Sequence, residues 1–328
     1  MFELIKKLVD IYGATGRETA VADAIEELLK DKVDAVSRDA LGNLICEKRG
    51  TDLDGKKIML SAHMDHIGFI VAGVEKEGFL RVAPVGGVGI AVNRTRHVVF
   101  QNGVEGIIVQ EPVNEGETPA MKHLFIDIGA SNEADALRMI QLGDIAVYAP
   151  DCFRLGEYRV AAPAMDDRIA CALLVRLIQE IGETKDTIYA VFSTQEEVGC
   201  RGAKTAAYSI NPDVGIALDV TGNGDTPKTK LPSVKLGEGA AIKIMDRGSV
   251  SHPEVVRDLL AAAERAGVKY QREVLPYGGT DAMAMQLTRG GVKAGTVSIP
   301  CRYVHSACET IDLRDVDAAC ELLKAYLK

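Results

Sequence analysis

Two adjacent glutamates, Glu196 and Glu197, follow an apolar run that is typical of a buried strand. The run is "TIYAVF", and the segment after it is "STQEEVGC", residues 193–200. Two carboxylates at the mouth of a buried strand repel each other unless a positive charge lies between or beside them. The pair therefore raises the question of which positive charge the protein provides.

Other acids and histidines follow predicted strands in the same way. His63 and Asp65 come directly after "IMLSA" and lie two residues apart, so both face the same way in an extended chain. Further candidates lie in three later segments: Asp166 and Asp167 in "PAMDDR", Asp219 after "VGIAL", and His305 after "VSIPCRYV". Because the carboxyl ends of parallel strands meet at one edge of a sheet, we expect these side chains in one crevice.

A crevice lined by imidazole and carboxylate groups needs cations, because the carboxylates otherwise repel one another strongly. Mixed nitrogen and oxygen ligands suit Zn²⁺ or Co²⁺. Five ligands are too many for one tetrahedral site, but they suit two metals that share a carboxylate at a spacing of ~3.5–4 Å. In outline, one of the two glutamates then binds metal and the other handles protons.

Two kinds of segment must position these residues. Both ends of the chain alternate predicted helices and buried strands, whereas the middle is rich in glycine, valine and short alternating runs. The predicted fold is α/β, a mixed, mostly parallel sheet with flanking helices, with an inserted β-rich, barrel-like domain. Residues 1–66 plus 161–328 form the predicted catalytic domain and 67–160 the insertion.

The individual elements follow from periodicity and from glycine. Two strands are expected over 35–50 and 56–71, joined by a turn near Asp52 and Gly55. A helix over 167–182 ends at Gly182, and a helix over 251–267 begins with Ser251 as its N-cap.

Composition restricts the classes of partner. The net charge of −9 argues against nucleic acid and against an anionic membrane surface. The seven cysteines form no close metal-type pair and are expected to be reduced thiols. The first residues show no signal-peptide pattern, and no run is long enough to span a membrane. We therefore expect a cytoplasmic protein.

An ordered set of six motifs resembles one family. "SAHMDHIGF", "PAMDDR", "QEEVGCRGA", "ALDV", "YGGTDA" and "IPCRYVHS" occur in this order across nearly the whole chain. Together they resemble the M42 family of dinuclear metallo-aminopeptidases, also called the TET or glutamyl aminopeptidase family. Each motif alone is a weak signal, whereas the ordered set is specific.

The resemblance implies a role for each candidate. Asp166 would bridge two divalent ions, zinc or cobalt, in each subunit. The other metal ligands would be His63 and Asp219 for one ion, and Glu197 and His305 for the other. Two residues would act without being ligands: Glu196 as general base toward a metal-bridging water, and Asp65 as a partner that fixes the tautomer of His63.

The resemblance also implies substrates and assembly. The substrates would be short peptides with a free N-terminus, and the chain would form a homo-oligomer, in this family commonly a tetrahedral dodecamer. The inserted domain would mediate contacts and guard access. Three positions depart from the family pattern, namely Cys301, Ala307 and Cys308, and none is a proposed ligand. Arg302 and the 278–282 loop lie in segments that border the substrate in the family.

Other interpretations stay open at this stage. A related dinuclear hydrolase, either a carboxypeptidase or an N-acyl amino acid deacylase, uses a similar ligand set, although its inserted domain is typically α+β. A glycoside hydrolase also uses two carboxylates, but neighbouring Glu196 and Glu197 cannot flank one glycosidic bond. A non-catalytic scaffold would have lost a ligand or the base. Asp166 and Asp167 could also cap a helix, and the remaining histidines are expected to be structural.

Overall fold

The protein folds as two β-structures with helices packed around the larger one. The computed structural model describes residues 1–229 and 233–328. One structure is an 11-stranded mixed sheet, and the other is a closed barrel of six strands. The predicted fold class, a mixed α/β sheet with an inserted barrel-like β-domain, is confirmed.

In chain order, the strands are β1 (Ala35–Arg38), β2 (Leu44–Lys48), β3 (Lys57–His63), β4 (Gly68–Val74), β5 (Leu80–Val85), β6 (Arg96–Phe100), β7 (Glu105–Gln110), β8 (Leu124–Asp127), β9 (Ile145–Tyr148), β10 (Phe153–Leu155), β11 (Arg159–Ala162), β12 (Thr187–Ser193), β13 (Val214–Thr221), β14 (Ala240–Met245), β15 (Tyr270–Val274), β16 (Lys293–Arg302) and β17 (Glu309–Asp312).

The α-helices are α1 (Phe2–Val9), α2 (Thr19–Leu29), α3 (Glu133–Met139), α4 (Met165–Glu180), α5 (Arg201–Ile210), α6 (Pro253–Ala266), α7 (Ala282–Met285) and α8 (Leu313–Leu327). Within the described residues, no helix combines the length and the apolar character needed to cross a bilayer.

The centre of the sheet is parallel. Strands β12, β3, β13 and β16 lie side by side in this order and run in the same direction. Antiparallel strands flank them, with β2 beside β12 and β17 beside β16. The central strands are buried on both faces, as their apolar runs predict. Their carboxyl ends therefore meet at one edge, where a crevice is expected.

The barrel has an apolar core of its own. Phe69, Phe100 and Ile126 are buried inside it, and the ring of Phe69 packs edge-on against Tyr148. The chain enters the barrel at Gly68, five residues after β3 ends at His63. It leaves after β9, and β10 already pairs with β11 in the large sheet. The barrel is thus inserted beside the carboxyl end of a central strand.

Three local predictions were wrong in detail. The strand expected over 35–50 is a hairpin, because the Asp39 carboxylate accepts the N–H groups of three residues, 41–43, and Gly42 has a φ of +94°. The strand expected over 56–71 is split between the sheet (β3) and the barrel (β4). The N-cap of α6 is His252 rather than Ser251, since the His252 side chain accepts the N–H of Glu254.

Candidate metal centre

The parallel strands bring the predicted site residues to one edge of the sheet. His63 is the last residue of β3, and Asp219 lies near the end of β13. Glu196 and Glu197 follow β12, while His305 lies in the loop after β16. All of these side chains, together with Asp166, line one cavity of about 870 Å³.

Asp166 lies between the two histidines. Its Oδ1 is 3.1 Å from His63 Nε2, and its Oδ2 is 3.2 Å from His305 Nε2. Asp166 and Asp167 have non-helical backbone angles at the start of α4. Neither carboxylate accepts a helix N–H in the part of the chain that the structure describes, so capping does not explain them.

The two glutamates differ in their surroundings. Glu197 Oε1 lies 3.3 Å from His305 Nε2. Glu196 Oε2 lies 3.9 Å from His63 Nε2, while its Oε1 accepts a hydrogen bond of 3.1 Å from the Cys200 thiol. Adjacent in sequence, the two carboxylates thus face different histidines.

The donor atoms fit divalent cations. His63 belongs to two groups of three residues, and within each group the ligand atoms all lie within 4.8 Å of one another. One group is His63, Asp167 and Asp219, and the other is His63, Asp166 and Glu197. The motif resemblance gave Asp167 no role as a ligand, but its Oδ1 is buried and has no hydrogen-bond partner among the described residues. The carboxylates of this cluster outnumber its two histidines, so a bound positive charge is needed to balance them. Imidazole and carboxylate together are ligands that Zn²⁺ and Co²⁺ accept.

Asp65 supports this site without facing the cavity. Its Oδ1 accepts the N–H of Glu196 at 2.9 Å, and its Oδ2 accepts the Thr15 hydroxyl at 2.8 Å and the N–H of Glu197 at 3.3 Å. His63 Nδ1 lies 2.9 Å from the backbone oxygen of Asp65 and 3.5 Å from its carboxylate. The Asp65 residue thus holds His63 through its carbonyl and the two glutamates through its carboxylate.

Charge coupling shifts the ionisation of the whole cluster. Burial raises the pKa of Glu196, Glu197 and Asp219, and neighbouring carboxylates add to the effect. Burial alone would lower the pKa of His63, but its hydrogen bonds to Asp166 and Asp65 raise it well above the usual value. The cluster therefore retains protons that a bound cation would displace.

The same balance operates at the other histidine. Burial opposes protonation of His305, but its contacts with Asp166 and Glu197 raise its pKa to about 12. Burial likewise opposes ionisation of Asp166, yet His305 and His63 hold the pKa of this carboxyl well below its usual range. Asp166 is therefore the carboxylate that stays ionised most readily.

Sequence reasoning missed several supporting residues. Asp281 accepts the hydroxyls of Ser61 on β3 at 2.6 Å and Ser193 on β12 at 2.5 Å, and so ties together the two strands that lead into the site. Glu309 accepts two backbone N–H groups near the site. The only sequence feature that pointed to Asp281 was its place in the quoted motif "YGGTDA". No sequence feature pointed to Glu309, because its hydrogen-bond partners are backbone atoms.

The remaining segments named from the sequence have separate positions. Arg302 forms a bidentate ion pair with Asp225, at 2.9 and 2.8 Å, so its guanidinium is occupied. Gly278 and Gly279 line the cavity. His66 is buried at the junction between α1 and the barrel, where burial and Arg168 lower its pKa to about 3. It does not line the main cavity.

This fold and this cluster of imidazole and carboxylate donors are typical of metal-dependent hydrolases, and comparison with known proteins identifies the family. A profile of the M42 glutamyl aminopeptidase family matches residues 42–322. The lysyl aminopeptidase of Pyrococcus furiosus is 37% identical, covering 100% of this chain and 96% of its own. The chain therefore belongs to the M42 family of aminopeptidases, and the resemblance predicted from its motifs is confirmed.

Solved structures agree with this assignment. An aminopeptidase from the archaeon Desulfurococcus kamchatkensis superposes with a TM-score of 0.95 at 40% identity, covering 99% of this chain and 94% of its own. A TET peptidase from Pyrococcus horikoshii, which can assemble into a tetrahedron or a large octahedral shell, superposes with a TM-score of 0.89 at 32% identity. That match covers 99% of this chain and 98% of the other.

Proposed function

We propose that this chain is a dinuclear metallo-aminopeptidase that removes N-terminal residues from short peptides with a free N-terminus. The observation that carries the proposal is the position of Asp166, whose two carboxylate oxygens each face the Nε2 atom of a different histidine. A carboxylate placed in this way suits the bridging position between two cations. Membership of the M42 family supports the same activity.

The proposed ligands divide into two sets that share Asp166. His63 and Asp219 complete one set, and Glu197 and His305 complete the other. Because His63 also belongs to both groups of close donor atoms, its loss should disturb both sets. Zinc and cobalt both match these ligands, and the proposal takes either.

The chain's own groups account for proton movement. Bound cations would supply the positive charge that acidifies a water molecule and polarises the peptide carbonyl. The Cys200 thiol occupies Glu196 Oε1, so Oε2 is the atom left to take a proton from water and return it to the leaving amine. Burial and neighbouring carboxylates raise the pKa of Glu196, which suits a group that must hold a proton during the reaction.

We also propose a division of labour between the domains. Residues 1–66 plus 161–328 would carry the reaction, and residues 67–160 would contribute to assembly and to substrate access. By analogy with the Pyrococcus horikoshii peptidase, the chain would form a homo-oligomer, a tetrahedral dodecamer. A cytoplasmic location is part of the same proposal.

The test is an assay of purified protein on a panel of aminoacyl-p-nitroanilides, after chelation and again after Zn²⁺ or Co²⁺ is restored. The panel includes glutamyl, lysyl and leucyl substrates, because the family and its Pyrococcus furiosus member carry different substrate names. Activity should return with metal. The variant Glu196→Gln should bind two ions per chain and lose activity by about 10²–10⁴-fold, the usual contribution of a general base.

Glu77 is exposed, so Glu77→Gln is the matched control and should leave activity unchanged. If Glu196→Gln retains most of the activity, Glu196 is not the base. If metal binds but only N-acyl or C-terminal substrates are cleaved, the site is right and the reaction is that of a deacylase or carboxypeptidase.

A further inference from the structure

His305 lacks the support that a strand would provide. Strand β16 ends at Arg302, and His305 lies in the loop that follows. Its φ of +62° is in the left-handed region, which costs a non-glycine residue free energy unless neighbouring groups hold it there. Its side chain is 31% exposed, compared with 2% for His63. Other parts of the molecule must therefore fix this ring.

One such group is the buried carboxylate of Glu309. Its Oε1 accepts the backbone N–H of His305 at 2.6 Å, and its Oε2 accepts the backbone N–H of Asp166 at 2.9 Å. Glu309 therefore joins the backbones of two proposed ligands that lie far apart in sequence. Its carboxylate oxygens are occupied by these two N–H groups, so Glu309 would act through Asp166 and His305.

The second group comes from the barrel. The carbonyl oxygen of Gly87, in the turn after β5, lies 2.8 Å from His305 Nδ1. When His305 is neutral, Nδ1–H donates to this oxygen, and the lone pair is left on Nε2. His305 Nε2 is the atom that faces Asp166 and Glu197. The Gly87 carbonyl thus selects the tautomer that can bind a cation.

The same turn leaves no space around the ring. A Cβ atom built on Gly87 would lie 2.7 Å from His305 Nδ1, and one built on Gly86 would lie 3.0 Å from Glu197 Oε2. Two consecutive glycines of the barrel therefore touch both His305 and Glu197. Gly89, two residues further on, has room for a Cβ, with its nearest neighbour at 3.7 Å.

We propose that Gly87 and Glu309 are positioning residues that fix His305. Through Gly87, the inserted barrel then sets the affinity of the ion bound by Asp166, Glu197 and His305. This inference rests on the proposed function. The ion bound by His63 and Asp219 would depend much less on the barrel, because His63 is held by β3 and by Asp65.

The experiment is a titration of metal-free Gly87→Ala with Zn²⁺ by calorimetry, with Gly89→Ala as the matched control. Neither glycine has a positive φ, so alanine adds a methyl group without backbone strain at either position. The added methyl group would push the His305 ring away from the Gly87 carbonyl. We therefore expect Gly87→Ala to bind one ion as the wild type does and the second about 10–100-fold more weakly, the usual effect of losing an outer hydrogen-bond partner. At a fixed Zn²⁺ concentration kcat should fall while KM stays near the wild-type value.

The control Gly89→Ala should bind both ions normally. A folded Gly87→Ala that binds both ions with wild-type affinity would overturn the proposal, as would an equal loss at both sites. If Gly87→Ala does not fold, Glu309→Gln decides. Its amide can accept only one of the two N–H groups, and it should weaken the same ion more than the other, because Asp166 is shared but only this ion also depends on His305.

The two proposals fail in different ways. A wild-type chain that binds two ions but cleaves no aminoacyl substrate contradicts the proposed function, while the titrations still decide the roles of Gly87 and Glu309. A wild-type chain that binds fewer than two ions contradicts both.

Discussion

The two histidines of the candidate site are held in opposite ways. His63 ends a central strand whose neighbours on both sides are parallel strands, and its ring is almost fully buried. His305 lies in a loop, has a left-handed backbone and is partly exposed. The strand supplies one ligand with a fixed direction, whereas the loop depends on acceptors from the barrel and from Glu309. Within one site, the His63 half is thus fixed by the sheet, and the His305 half is fixed by hydrogen bonds from the barrel and from Glu309.

The largest expected effect compares the histidines directly. Because His63 belongs to both groups of close donor atoms, His63→Ala should weaken both ions and lower kcat/KM at least about a thousandfold, or about 4 kcal/mol. His305→Ala should keep one tightly bound ion, and its kcat/KM should fall about a hundredfold. Metal analysis after dialysis, together with kinetics, measures both. His97 is exposed, and His97→Ala is the control. Equal metal loss in His63→Ala and His305→Ala would show that the two histidines do not differ in this way.

The second effect concerns Arg168, a core residue that binds the backbone beside His63. Arg168 is fully buried, and its guanidinium donates to the backbone oxygens of Met64, Leu8, Ile11 and Gly13. Arg168→Met removes this donor from all four carbonyls, so we expect the free energy of unfolding to fall by about 3 kcal/mol. Urea denaturation measures this.

The exposed Arg94→Met should leave the urea midpoint unchanged. If Arg168→Met is as stable as the wild type, the buried guanidinium does not hold this half of the molecule together.

A smaller effect is expected at Asp65. In Asp65→Asn the amide oxygen can replace only one of the two carboxylate oxygens, and the NH₂ group at the other position cannot accept the hydrogen bonds made there by Glu196, Glu197 or Thr15. We expect kcat to fall about 10–100-fold, as is usual when an outer carboxylate is lost. The exposed Asp54→Asn serves as its control. Unchanged kcat in Asp65→Asn would show that the carbonyl of Asp65 alone provides the support.

The smallest effect is expected at the hydroxyl that steadies Asp65. Thr15→Val removes the hydrogen bond of 2.8 Å to Asp65 Oδ2 at nearly constant volume. The cost should be about 1 kcal/mol, seen as a several-fold loss of kcat. Thr15→Ser keeps the hydroxyl and should restore most of the rate. Equal losses in the two variants would assign the effect to packing of the Thr15 methyl group instead.

The same contrast explains how much could be predicted from sequence. His63 and Asp219 follow long apolar runs, so their meeting at the end of a parallel sheet was predictable from pattern alone. His305 was a candidate for the same reason, as a histidine after an apolar run, and the motif resemblance supplied which of Glu196 and Glu197 would bind metal and which would act as the base. The structure brings all of these residues together, and their roles remain predictions.

The supporting contacts were not predictable for physical reasons. Glu309 binds backbone N–H groups, which leave no trace in residue type, and Gly87 contacts a ring 218 positions away in the chain. Asp167 has a buried oxygen close to the proposed ligands, although the motif resemblance gave it no role as a ligand. The split of the strand predicted over 56–71 was hidden because both halves are apolar, and pattern does not say which sheet a strand joins.

The glycine turn after β5 has a consequence for shortened forms of the protein. A chain without the barrel, residues 67–148, would keep the sheet strands that carry His63 and Asp219. It would lose the carbonyl of Gly87 and leave His305 Nδ1 facing solvent. The inserted barrel is therefore not a detachable module, and a minimal catalytic core would need a replacement acceptor built into the loop that carries His305.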